Sequence, residues 1–190
     1  QIRQTPVLEA IPIQILTSKY TEGLPESIVK QGVVHHHGVA ENDENLGEVN
    51  IDKAKYIILI AKDPNDCISD SLTFDVLSRI QSLGTQAMIV AEVTEDANRT
   101  RMTKLGAEVV IRPIRAYPEL LARALVATGT EQVLENLFIH DGDHMVRFDC
   151  AFRDKKWSDI VCRFVVGGAG IPMGYINENG VHVNPLPTET

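Results

Sequence analysis

Three short apolar runs, separated by two stretches of helical pattern, fill residues 55–113 and constrain the fold more than anything else in the chain. They are Tyr56-Ile57-Ile58-Leu59-Ile60-Ala61, then Ala87-Met88-Ile89-Val90-Ala91, then Val109-Val110-Ile111, which Pro113 closes. A half-exposed strand would alternate apolar with polar residues. Uninterrupted runs of this length read instead as strands buried on both faces of a parallel sheet. After the first run, Asp63 is the expected N-cap and Pro64 the expected first helical residue. Ile68, Leu72, Val76, Ile80 and Leu83 then recur on one face, and Gly84 ends the helix. After the second run, Thr94 can cap a helix that Gly106 stops. Parallel strands joined by helices require right-handed crossovers, so the stretch reads β-α-β-α-β.

The same alternation begins earlier. Ile13-Gln14-Ile15-Leu16 is a strand, Leu24-Pro25 opens a short helix carrying Ile28 and Val29, and Gly32 stops it. Val33-Val34-His35-His36-His37-Gly38 is a further strand, and residues 39–53 form an acidic connection with a helical turn near Asn45-Leu46-Gly47. Five strands alternating with helices give the doubly wound, Rossmann-like α/β pattern. In that pattern the first strand runs into a G-x-G-x-x-G turn that cradles a pyrophosphate. The chain has no such motif. Gly167-Gly168-Ala169-Gly170 lies outside any strand-then-helix context and reads as a turn. The strand at Ile13 is followed by Thr17, Ser18 and Lys19, not by an acid for a ribose hydroxyl. The expectation is therefore a parallel sheet lacking its first β-α unit, and no nucleotide bound by this chain alone.

Past Pro113 the pattern changes. Tyr117-Pro118 opens a helix with Leu120, Leu121, Ala124 and Leu125 on one side, Gly129-Thr130 breaks it, and a second helix gathers Val133, Leu134, Leu137 and Phe138. This helix-turn-helix arm carries more apolar surface than one sheet edge plausibly covers, which reads as an interface with a second copy, the alternative being that the small C-terminal lobe folds back over it. The remainder reads as β-rich, with strands at residues 145–148, 161–166, 173–176 and 181–183, a hairpin at Asn179-Gly180, and a short helix bearing Trp157 and Ile160. The expected organisation is a Rossmann-like lobe over residues 1–115, the arm over 116–139, and a small α+β C-terminal lobe over 140–190, cut short before one more strand.

Several functions are disfavoured by composition. A net charge of −8 argues against a phosphate-backbone partner, so no nucleic acid is expected. Three cysteines (Cys67, Cys150, Cys162) without metal-binding spacing suggest a reducing, intracellular setting. No apolar run approaches the ~20 residues that span a bilayer. The chemistry-bearing clusters are few. In the His35-His36-His37 run, His35 and His37 share one strand face and His36 takes the other, so two at most could join one metal site; polar residues at a sheet mouth are the commoner reading. His140-Asp141-Gly142-Asp143-His144 is a denser set of potential ligands, and a solvated loop is again the commoner reading. Glu92 falls at the carboxyl end of a strand, where open α/β sheets place ligands, with Asp70 in the first turns of the preceding helix. There is no nucleophile elbow, HExxH or catalytic acid pair, so no enzyme is expected.

The stretch from Ala61 to Asp70, Ala91-Glu92, Asn98, and Leu105-Gly106-Ala107-Glu108-Val109-Val110-Ile111-Arg112-Pro113 resemble the RCK family. These domains regulate potassium conductance and are related to Trk-type (TrkA-N-like) uptake regulators. The arm resembles the family's helix crossover, and Ile171-Pro172-Met173-Gly174 with Asn179-Gly180 its small C-terminal lobe. The resemblance implies a cytoplasmic, ligand-sensing domain of a potassium channel at the membrane. It implies homodimers clasped through Leu120, Leu121, Leu125, Val133, Leu134, Leu137 and Phe138, within a tetrameric or octameric gating ring. The alternative is a soluble regulatory subunit of a Trk/Ktr-type potassium uptake system. Calcium-gated members hold the ion at positions matched here by Asp70 and Glu92. The third position is Thr94, with Glu95 one residue late, so Ca2+ at Asp70, Glu92 and Glu95 is the implied metal site. The family's Gly-Asp after the third strand is replaced by Gly38-Val39.

Overall fold

The computed structural model describes residues 2–5, 7–112, 122, 124–138 and 145–189. The chain divides into two compact units, residues 1–144 and 145–190. Along the first unit run β1 (Ile13–Leu16), α1 (Glu26–Val29), β2 (Val33–His36), α2 (Asp43–Glu48), β3 (Tyr56–Leu59), α3 (Ile68–Ser82), β4 (Met88–Glu92), α4 (Arg99–Lys104), β5 (Val109–Ile111) and α5 (Thr130–Phe138). The five strands form where the apolar runs place them, all in parallel pairs. They make two sheets rather than one: β1 pairs with β2 from Ile13↔Val33 onward, and β3-β4-β5 pair in that order from Tyr56↔Met88 and Val90↔Val109.

The three-stranded sheet buries one face, not the two that its continuous apolar runs suggest. Ile57, Ile89, Ala91 and Val110 pack with Val76, Leu77 and Ile80 of α3, Met102 of α4 and Leu46 of α2 in a single core. The alternate residues face out: Ile58 is 52% and Ile60 72% exposed, and Tyr56, Met88, Val109 and Ile111 are exposed as well. Handedness explains this. Successive right-handed crossovers stepping in one direction, β3 to β4 to β5, put α3 and α4 on the same side. Covering the opposite face requires a crossover that steps the other way.

Helix α3 starts at Ile68, with Cys67 at the N-cap position, rather than at Pro64. The Asp63 carboxylate accepts from the Asn65 amide at 2.9 Å, and Asp66 accepts from the Ile68 amide at 3.0 Å. These local turns compete with helix for the same backbone donors and delay its start. Ile68 is consequently exposed, and the buried stripe runs through Thr73, Val76, Leu77 and Ile80. Helix α2 docks beside α3 through Leu46 and through Arg79, whose guanidinium reaches Asp43 at 2.9 Å and Asp75 at 2.8 Å.

The second unit holds α6 (Trp157–Val166) and the antiparallel hairpin β6 (Gly174–Asn177) and β7 (Gly180–Val183). Two strand expectations fail here. Residues 161–166 belong to α6, and residues 145–150 carry no strand. Trp157, Ile160, Val161 and Phe164 recur at the i, i+3, i+4, i+7 spacing of a helix face and are the inward residues of α6, so periodicity outweighs the β-branched content. Phe164 is met edge-on by Phe148 at 5.7 Å and Phe152 at 5.9 Å between centroids. The hairpin turns at Asn179-Gly180, where Gly180 takes φ +120, a backbone region that favours glycine. Among the described residues no helix is long and apolar enough to cross a membrane.

Candidate functional site

The carboxyl ends of β3 and β4 and the start of α3 meet around Asp70. Its side chain is 3% exposed. One oxygen, Oδ1, accepts from the Thr94 amide at 2.7 Å and the Thr94 hydroxyl at 3.0 Å. The other, Oδ2, accepts from the Glu95 amide at 3.1 Å and the Asn98 side-chain amide at 2.7 Å. Burial alone would raise this carboxyl's pKa. The hydrogen bonds from Asn98, Thr94 and Glu95 outweigh it and hold the group below its ordinary value. Asp70 therefore anchors the turn that carries the chain from β4 into α4, and does so as a charged group.

Glu92, the last residue of β4, uses Oε2 to accept from the Ala61 amide at 3.0 Å, fastening the chain just past β3. Glu95 is exposed, and its backbone amide, not its carboxylate, is what joins Asp70. So the structure brings Asp70 and the Glu95 backbone together and engages Glu92 elsewhere. Four donors occupy the roughly four lone-pair positions of a carboxylate, and an ion at Asp70 would have to displace them. Among the described residues no group of three or more His, Cys, Asp or Glu side chains is placed to hold a metal. The expected calcium set of Asp70, Glu92 and Glu95 thus has no assembled counterpart there. Beside Asp70 lies a shallow cleft of about 120 Å³ lined by Ser71, Phe74, Asn98, Arg101 and Met102, with the Arg101 guanidinium 4.8 Å from the Phe74 ring centre.

Strand alternation places the histidines as expected. His35 and His37 share a face with ring centroids 6.2 Å apart, and His35 Nε2 lies 3.1 Å from the Thr17 carbonyl. On the other face His36 Nε2 sits 2.8 Å from Glu48 of α2. The run from His140 to His144 lies outside the described residues, as do Leu120 and Leu121 of the arm and the side chain of Phe138. In the described part of the arm Leu125 is 86% and Val133 62% exposed, while Leu134 and Leu137 are half-buried.

No protein-family model matches the chain, and no curated protein matches it. Solved structures do. The human SLO3 gating ring aligns with a TM-score of 0.67 over 93% of this chain and 37% of that one, at 14% identity. GsuK bound to ADP aligns with a TM-score of 0.52 over 89% of this chain and 46% of that one, at 18% identity. The chain has the fold of an RCK domain. It spans less than half the length of either neighbour.

Within that RCK fold, two partners of Asp70 escaped sequence reasoning. Thr94 reads as a helix cap, yet its amide and hydroxyl both serve Asp70. Asn98 stands out only as part of the family motif, and its role as a donor to Asp70 needs the β4–α4 turn to be folded.

Proposed function

We propose that this chain is the ligand-sensing regulatory domain of a potassium channel, acting on the cytoplasmic side of the membrane. It is a binding and assembly module that performs no catalysis. The RCK fold supports the reading, and the arm carries it: among the described residues Leu125 is 86% and Val133 62% exposed, apolar side chains turned largely to solvent. A face of that kind is suited to the same face on a second copy, in an isologous dimer. Gating then follows from a ligand that favours one packing of the copies over another, since only differential affinity moves such an equilibrium.

The two sheets leave open edges that a further parallel strand would fit. Among the described residues β1 pairs with β2 alone and β3 with β4 alone, so each keeps one edge without a strand partner. A parallel strand between them would bond to both. Its right-handed crossover to β1 would step opposite to β3-β4-β5 and lay a helix over the open face that holds Ile58 and Ile60. In doubly wound folds that unit also brings the glycine-rich phosphate turn. Nucleotide binding, as in the GsuK neighbour with ADP, would accordingly come with that unit and not with residues 1–190 alone.

Potassium flux through the full-length polypeptide in vesicles, with calcium or ADP added as probes, tests the proposal. The expected result is flux that responds to one of them and loses the response on Leu125→Asp. A polypeptide that moves no potassium, or whose response ignores the arm substitution, contradicts it.

A further inference from the structure

Helix α6 has no side-chain cap: Lys156 precedes it and makes no capping hydrogen bond. The first amides of a helix have no partner within it and must find one elsewhere. Here two of them reach the far end of the unit. The Trp157 amide donates to the Glu189 carbonyl at 2.7 Å, and the Ser158 amide donates to the Pro187 carbonyl at 3.1 Å. Residues 185–189 thus lie across the start of α6 as a strap. The strap is turned on itself, with the Glu189 amide bonded to the Leu186 carbonyl at 2.9 Å, and Pro185 is buried.

To those two backbone bonds the Glu189 side chain adds a hold on the hairpin. Glu189 Oε1 accepts from the Tyr175 hydroxyl of β6, and lies 3.8 Å from His182 Nδ1 of β7. Its Oε2 accepts from the Leu186 amide at 3.3 Å. Tyr175 and His182 are cross-strand partners, stacked at 4.6 Å with an interplanar angle of 12°. Tyr175 in turn meets Trp157 at 6.0 Å, and Trp157 is the residue of α6 that is buried. The Glu189 side chain therefore ties the strap to the hairpin, while the Glu189 and Pro187 carbonyls tie it to the helix.

We propose that residues 185–189 are a releasable strap that caps α6, and that Glu189, pinned against Tyr175 and His182, is the latch that decides whether the cap is on. Releasing it frees the Trp157 and Ser158 amides and loosens Tyr175, the ring that meets Trp157, while the sheet of the first unit is untouched.

Trp157 is the chain's single tryptophan, so its emission reports on this unit alone. The test compares wild type, Glu189→Gln and Tyr175→Phe by tryptophan fluorescence and by amide hydrogen exchange resolved to residue. Both variants should shift the emission to the red and speed exchange of the Trp157 and Ser158 amides by roughly tenfold, the scale of a lost cap. Exchange at Ile89 in the first unit should be unchanged. Wild-type exchange at Trp157 and Ser158 in both variants would overturn the latch. Equal acceleration at Ile89 would also overturn it, because the effect would then be global.

Discussion

Two carboxylates tie this molecule together, and they sit in opposite surroundings. Asp70 is 3% exposed and takes four donors from one turn. Glu189 has a side chain 34% exposed and takes one hydroxyl and one amide, with a histidine nearby. Around Asp70 the core contains side chains with no accessible surface at all, Leu77 and Ile89 among them. Around Glu189, Trp157 is the large side chain that is buried. A hydrogen bond in a water-excluded setting is costly to leave unmade, and one at the surface can be replaced by solvent. The same chemistry should thus act as scaffold in the first unit and as latch in the second.

The largest effect should come from Asp70→Ala. It orphans two backbone amides, a hydroxyl and a side-chain amide, and should destabilise the first unit by about 3–5 kcal/mol in urea unfolding. Asp70→Asn should rescue little, because its own NH2 would confront the Glu95 and Asn98 donors. The wild-type advantage should also depend on acid. Asp70's folded pKa lies below 3.8, so its stabilisation is present above that ordinary value and is lost as pH falls through the folded one. A wild-type minus Asp70→Ala difference that stays constant from neutral pH down through that range would show that the carboxylate is not held charged.

Next comes a contrast within one strand. Ile57 is 6% exposed and Ile58 52%. Ile57→Ala should cost about 2–4 kcal/mol, whereas Ile58→Ala should stay within ~0.5 kcal/mol in this chain. Equal costs would mean that the outer face is covered.

These contrasts also mark what the sequence could convey. Strand positions were legible because apolar runs bounded by Gly and Pro have few other uses. The exposed outer face was not, since Ile58 and Ile60 look as buried as Ile57 until crossover handedness assigns the helices to one side. The site was half legible: Glu92 and Asp70 stand where ligands bind in such sheets, but the donors that fill Asp70 come from Thr94, Glu95 and Asn98 across a tertiary contact. Helix α6 was misread because Val161, Val165 and Val166 favour strand locally while the Trp157–Phe164 spacing specifies helix.

The smallest effect on the folded protomer, and the most direct test of the account, belongs to the arm. Leu125 and Val133 are too exposed to support their own unit, so Leu125→Asp with Val133→Asp should leave circular dichroism and unfolding unchanged. Light scattering of the purified chain across a micromolar concentration series should show a dimer for wild type and a folded monomer for the double variant. A wild-type chain that stays monomeric at the highest concentrations, or a double variant that still dimerises, would contradict assembly through the arm.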